Sequence, residues 1–148
     1  MSRSLLIALL ALASVPIDAA AQSWDVSKAP WDQTKQLRCD YLDRQTCELD
    51  GGTCKPLPAS ISHLTIDFTT NRMILVANGP RLTIRGRAFY PLPFTGNPIM
   101  SLLLSDGRMF KFRYGSEPER ASLSAAMVGY SAVGKPSVEI SRWDCARL

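Results

Sequence analysis

From Lys35 to the C-terminus, apolar residues return at every second position in short runs, with turn-forming residues between the runs. Leu37, Cys39 and Tyr41 alternate with Gln36, Arg38 and Asp40; Leu64, Ile66 and Phe68 alternate with His63, Thr65 and Asp67. Residues 73–77, 81–88, 100–105, 108–114, 121–129 and 137–143 continue the pattern. A period of two is that of a strand with one buried face, and no segment carries a convincing helical period. A short helix is the rival only for the run beginning at Lys35. Asn78-Gly79 and Asp106-Gly107 are two-residue hairpin signals. About eight strands at hairpin spacing predict an all-β fold, a small antiparallel meander closed as a barrel, with a sandwich as the alternative.

The four cysteines narrow this further. Cys39, Cys47 and Cys54 lie close together, and Cys145 lies near the end. No Cys-x-x-Cys pair is present, and the lone His63 does not complete a zinc set. Asp50-Gly51-Gly52 folds the short segment between Cys47 and Cys54 back on itself, which favours the pair Cys47–Cys54 and leaves Cys39–Cys145 to join the chain's two ends. A bridge from first strand to last is what an up-and-down barrel would carry, so the barrel expectation rests on it.

At 148 residues, 46% hydrophobic and 20% charged, the chain reads as one globular domain, which excludes a multidomain enzyme, a solenoid and a polytopic membrane protein. Arg3, the apolar run from Leu5 to Val15 and the small residues Ala19-Ala20-Ala21 read as a bacterial-style secretory signal over residues 1–21. That apolar run is too short to span a bilayer. The expected organisation is therefore a signal peptide (1–21), a polar leader (22–34) whose Trp24 and Trp31 lie back on the domain as a lid, and a disulfide-bonded β-domain (35–148). The expected location is the periplasm or the medium, with no transmembrane segment in the mature chain.

The hairpins assign faces. A two-residue turn at Asn78-Gly79 places Leu75 against Leu82 and Met73 against Ile84 as core, and Arg72 against Arg85 outside. Arg72, Arg81, Arg85 and Arg87 then converge on one outer surface. Pro80, which cannot donate to a ladder, weakens this register. Four arginines on one sheet are either neutralised, for instance by Asp67, or meet an anion through guanidinium forks. Charge is distributed accordingly: net −2 over residues 22–71 and net +6 over residues 72–148. At Asp106-Gly107 a two-residue turn would set Leu103 against Phe110 and Ser101 against Phe112 as core, with Leu102, Leu104, Met109, Lys111 and Arg113 on the opposite face.

Chemistry-bearing motifs are sparse. His63, Thr65 and Asp67 share a strand face, but same-face neighbours stand about 6.5–7 Å apart, too far for a hydrogen-bonded triad. No phosphate loop, metal set or nucleophile elbow is present, so neither catalysis nor a cofactor is expected. The basic run lacks interleaved aromatics, so nucleic acid is not expected either. Phe89, Tyr90 and Phe94 lie in a proline-stiffened apolar segment that reads as a flap over the core or as a partner-contact lip.

The early cysteine cluster followed by a β-meander and a terminal cysteine looks like various small exported bacterial proteins. The expected architecture is also similar to barrel-shaped inhibitors of lysozyme, although their inhibitory loop motif is absent here. The reading is a binding module of the bacterial envelope for an anionic polymer or an acidic protein. The alternative is an inhibitor or accessory subunit of an envelope or secreted hydrolase.

Overall fold

The alternating runs become strands because each can bury one face and solvate the other. The computed structural model describes residues 24–58, 61–75, 79–91, 98–114, 123–131 and 136–148. Among them are one helical turn, α1 (Pro30–Gln33), and the strands β1 (Gln36–Glu48), β2 (Cys54–Pro56), β3 (His63–Asp67), β4 (Arg72–Leu75), β5 (Arg81–Tyr90), β6 (Ile99–Leu104), β7 (Met109–Tyr114), β8 (Leu123–Ser131) and β9 (Ser137–Arg147). The strands form one antiparallel sheet in the order β2-β1-β3-β4-β5-β6-β7-β8-β9, and β9 returns to pair with β1. Eight strands thus close a barrel, and β2 adds a ninth outside it on the far half of β1.

The seam of the barrel is the long ladder from Leu37↔Arg147 to Glu48↔Ser137. Both disulfides join residues directly opposite each other in register. Cys39–Cys145 bridges the seam between β1 and β9, and Cys47–Cys54 ties β2 to β1. Both pairs match the sequence reading, as do the barrel and the strand at Lys35–Tyr41. Cys39 and Cys145 are buried inside with Leu37, Leu64, Ile66, Met73, Leu102, Leu104, Phe110, Leu123 and Trp143. Each such side chain contributes roughly 1.5–3 kcal/mol on leaving water. Among the described residues no helix is long and apolar enough to cross a membrane.

The register departs from the sequence reading at three places. At the first hairpin, Arg72 pairs with Thr83, Met73 with Leu82 and Ile74 with Arg81, two residues off the expected alignment. A two-residue turn at Asn78-Gly79 would need an N–H from residue 80, and Pro80 has none. A shift of two preserves the faces, so Met73, Leu75, Leu82 and Ile84 remain core while Arg72 no longer opposes Arg85. At the second hairpin, Leu104 N–H bonds to Arg108 O, and Gly107 N–H to Leu104 O. Ser105, Asp106 and Gly107 form a three-residue loop whose last member sits at φ 85°, the conformation that adds a bulge residue to a hairpin. The extra residue reverses parity on β6. Leu102 pairs with Phe110 and Met100 with Phe112 inside, while Ser101 and Leu103 turn outward. Phe110, Phe112 and Tyr114 are core as expected; Leu103 is not.

The third departure is a bulge in β5. Ile84 pairs with Leu104 but Gly86 pairs with Leu103, which leaves Arg85 as the extra residue. Parity changes there too. Arg87 falls opposite the buried Leu102 and Phe89 opposite the buried Met100.

The leader closes one end. Trp24 packs with the core, 5.8 Å from the Tyr114 ring centroid, and the Arg147 guanidinium lies 4.1 Å over its ring. Trp31 meets Phe68 edge-on at 6.1 Å. Pro30 starts α1 with its φ already helical, and Thr34, extended at φ −148°, ends it. The two tryptophans are a lid, as the sequence reading had them.

Candidate functional site

Strands β4 to β8 contain Arg72, Arg81, Arg85, Arg87, Lys111 and Arg113, and neither Asp nor Glu. These five strands are consecutive in the barrel wall. Alternation directs Arg72 and Arg81 outward beside the buried Met73 and Leu82, and Lys111 and Arg113 outward between the buried Phe110, Phe112 and Tyr114. Arg85 is exposed at the bulge. Five cations therefore share the outer surface of this half of the barrel. The remaining half mixes both signs and pairs them. Arg38 meets Asp40 at 3.1 Å, Arg44 meets Glu139 at 2.6 Å, and Arg142 meets Asp43.

Asp67 stands directly across from Arg72, yet it does not neutralise the wall. Its carboxylate accepts the N–H groups of Thr69 and Thr70 at 2.8 and 3.0 Å and the Gln36 amide at 3.3 Å. Those bonds, the Thr70 backbone donor first, hold its pKa below the ordinary carboxylate value. Asp106, in the turn, is engaged by Arg108 at 2.6 Å. Among the described residues, Arg72, Arg81, Arg85, Lys111 and Arg113 have no carboxylate within ion-pair distance.

Arg87 is the correction to the four-arginine surface. The bulge turns it toward the lid end, where it donates to Phe68 O at 2.5 Å and to Asn71 Oδ1. Its guanidinium lies 5.3 Å over Phe68 and 5.9 Å from the Trp31 ring. It secures the lid and leaves the outer wall. Lys111 and Arg113 take its place. Their outward direction was readable from the alternation with Phe110 and Phe112. Their position two strands from Arg85 follows from the β5–β6–β7 meander.

The apolar lip divides. Phe89 belongs to β5 and packs against the core, Tyr90 is 62% exposed at the strand's end, and Phe94 lies outside the described residues. His63 faces Asp40 across β1 and β3, and its Nδ1 lies 3.1 Å from the adjacent Ser62 hydroxyl at the start of β3. Among the described residues, neither Thr65 nor Asp67 is hydrogen-bonded to His63, as the strand spacing requires.

At the end opposite the lid is a cleft of about 80 Å³, lined among others by Tyr41, Arg44, Glu139, Ser141 and Trp143. Its polar groups serve one another. Arg44 pairs with Glu139, and Trp143 Nε1 donates to Ser141 Oγ at 3.0 Å. The Glu139 bond raises the Arg44 pKa. Tyr41 stacks edge-on to Trp143 at 5.4 Å. No protein-family model, curated protein or solved structure matches the chain.

Proposed function

We propose that this chain is an exported binding module that holds an extended anionic partner, an acidic polymer or the acidic face of a protein, against the β4–β8 wall. The observation that carries the reading is the set Arg72, Arg81, Arg85, Lys111 and Arg113 on β4, β5 and β7, within a run of five adjacent strands that has neither Asp nor Glu. Like charges gathered on one sheet repel, and a bound anion removes that cost. Arginine forks suit carboxylate, sulfate and phosphate oxygens. From β4 to β7 is about 14 Å at the usual strand spacing, which spans several anionic groups. The paired disulfides support residence in an oxidising compartment. The core is filled with side chains, so binding belongs to the outer surface rather than to the barrel interior.

The test is retention on dextran sulfate over a salt series. Arg81→Glu/Arg85→Glu and Lys111→Glu/Arg113→Glu bind about tenfold more weakly or worse than wild type, and salt releases both earlier. Lys35→Glu/Lys55→Glu makes the same change in net charge away from the wall and keeps most of the binding. Equal loss in all three variants reduces the effect to net charge and overturns the reading.

A further inference from the structure

The parity reversal at the second hairpin turns Leu103 outward, into line with other exposed apolar side chains. The register sets Leu103, Met109, Val128 and Ile140 side by side across β6, β7, β8 and β9, all on the outer face. One step toward the mouth, Tyr130 pairs with Val138, and Val138 stands opposite Cys47 of the outer disulfide. Leu103 is 44% exposed, Met109 38% and Tyr130 80%; Val128, Val138 and Ile140 are partly exposed. Surface hydrophobics scattered singly are ordinary, but a contiguous stripe marks an interaction site.

Charge says what kind of partner covers it. The neighbouring outer row holds Ser101, Lys111, Ala126 and Arg142, with Arg142 paired to Asp43. Arg85 adjoins the stripe at the β5 side through Gly86↔Leu103. A second copy of the chain would bring cations against cations. The closed barrel also curves away on both sides, so the stripe is a ridge. A fluid headgroup layer accommodates a ridge without offering a matching concave surface. Aliphatic side chains with an interfacial tyrosine, flanked by lysine and arginine, are the composition that settles at an anionic bilayer surface.

We infer that the ridge Leu103–Met109–Val128–Ile140 with Tyr130 is a docking site for an anionic lipid bilayer. Its apolar side chains enter the headgroup region while Arg85, Lys111 and Arg113 face the lipid phosphates. This inference rests on the cationic-wall reading and extends the anionic partners of that wall to a lipid surface.

Sedimentation with vesicles of phosphatidylcholine alone and of phosphatidylcholine with phosphatidylglycerol tests it, beside the dextran sulfate column. Wild type binds the phosphatidylglycerol vesicles and binds phosphatidylcholine at least about tenfold more weakly. Met109→Ser/Tyr130→Ser, whose sites are exposed, folds as wild type by circular dichroism. It loses about tenfold or more in vesicle binding and keeps wild-type retention on dextran sulfate. If that variant binds vesicles as wild type does, the ridge has no lipid role and the inference falls. If wild type binds dextran sulfate but neither vesicle, the inference falls while the cationic wall stands. If it binds nothing anionic, both fall. A dimer of wild type abolished by Met109→Ser/Tyr130→Ser, without vesicle binding, assigns the ridge to self-association and also overturns the inference.

Discussion

Gln33 ties the lid together. Its amide nitrogen lies within 3.0 Å of Asp25 O, Lys28 O and the Tyr114 hydroxyl, and its amide oxygen accepts from Asp25 N–H and an Arg147 nitrogen. Gln33→Ala removes these bonds at once and leaves part-buried partners unmet, a loss of about 2 kcal/mol. Urea denaturation followed by tryptophan fluorescence measures it. Tyr114 adds a pH dependence. Burial is the main cause that pushes its pKa from 10.0 to about 12. The folded state therefore keeps this proton where the unfolded chain releases it. The stability contributed by Tyr114 is whole below pH 10 and drains away as pH climbs from 10 toward 12. A denaturation series in that window falls less steeply for Tyr114→Phe than for wild type. Nothing near Gln33 in sequence announces its role, because Tyr114 and Arg147 reach it only after the barrel has closed.

At the scale of the element, glycine and proline decided what the hairpins became. Gly107 is held at φ 85°, a region that costs an L-residue roughly 1–2 kcal/mol. Gly107→Ala loses about that much in thermal or chemical denaturation, and Gly107→Asn loses less, because asparagine tolerates this conformation better. Strand existence was legible in the alternation, and so were the inner faces of β1, β3, β4 and β7. Register was not. The dipeptide Asp106-Gly107 serves a two-residue turn as well as the tail of a three-residue one, and only the bond between Leu104 and Arg108 separates them. The single residue at issue exchanges Leu102 with Leu103. The bulge at Arg85 left no local mark either, since Gly86-Arg87 continues a plausible alternation. That is why three of the four expected arginines belong to the candidate site while Arg87 serves the lid.

For the whole molecule, charge and covalent closure follow one division. The strands that carry the seam mix acids with bases; strands β4 to β8, away from it, carry cations and no Asp or Glu. The two disulfides bind very different lengths of chain, 106 residues of separation for Cys39–Cys145 and 7 for Cys47–Cys54. On the loop-entropy account, Cys39→Ala/Cys145→Ala costs about 4–5 kcal/mol and Cys47→Ala/Cys54→Ala about 2–3. Denaturation of the two variants side by side checks the order. A reversed order means that native packing, rather than chain entropy, dominates the bridge. The placement of both cysteine pairs was visible beforehand because a glycine turn left only one economical match. The ridge on β6–β9 was visible only at Met109: Leu103 turned outward with the three-residue loop, and Val128 and Ile140 join them only through the pairing of β7, β8 and β9.

The seam bond also changes what a protease can accomplish. A nick anywhere between Asp40 and Asp144 would produce two fragments still padlocked at Cys39–Cys145. The clipped polypeptide would migrate as a single species in denaturing gels until a reductant separates it. Loss of a loop therefore need not mean loss of the particle.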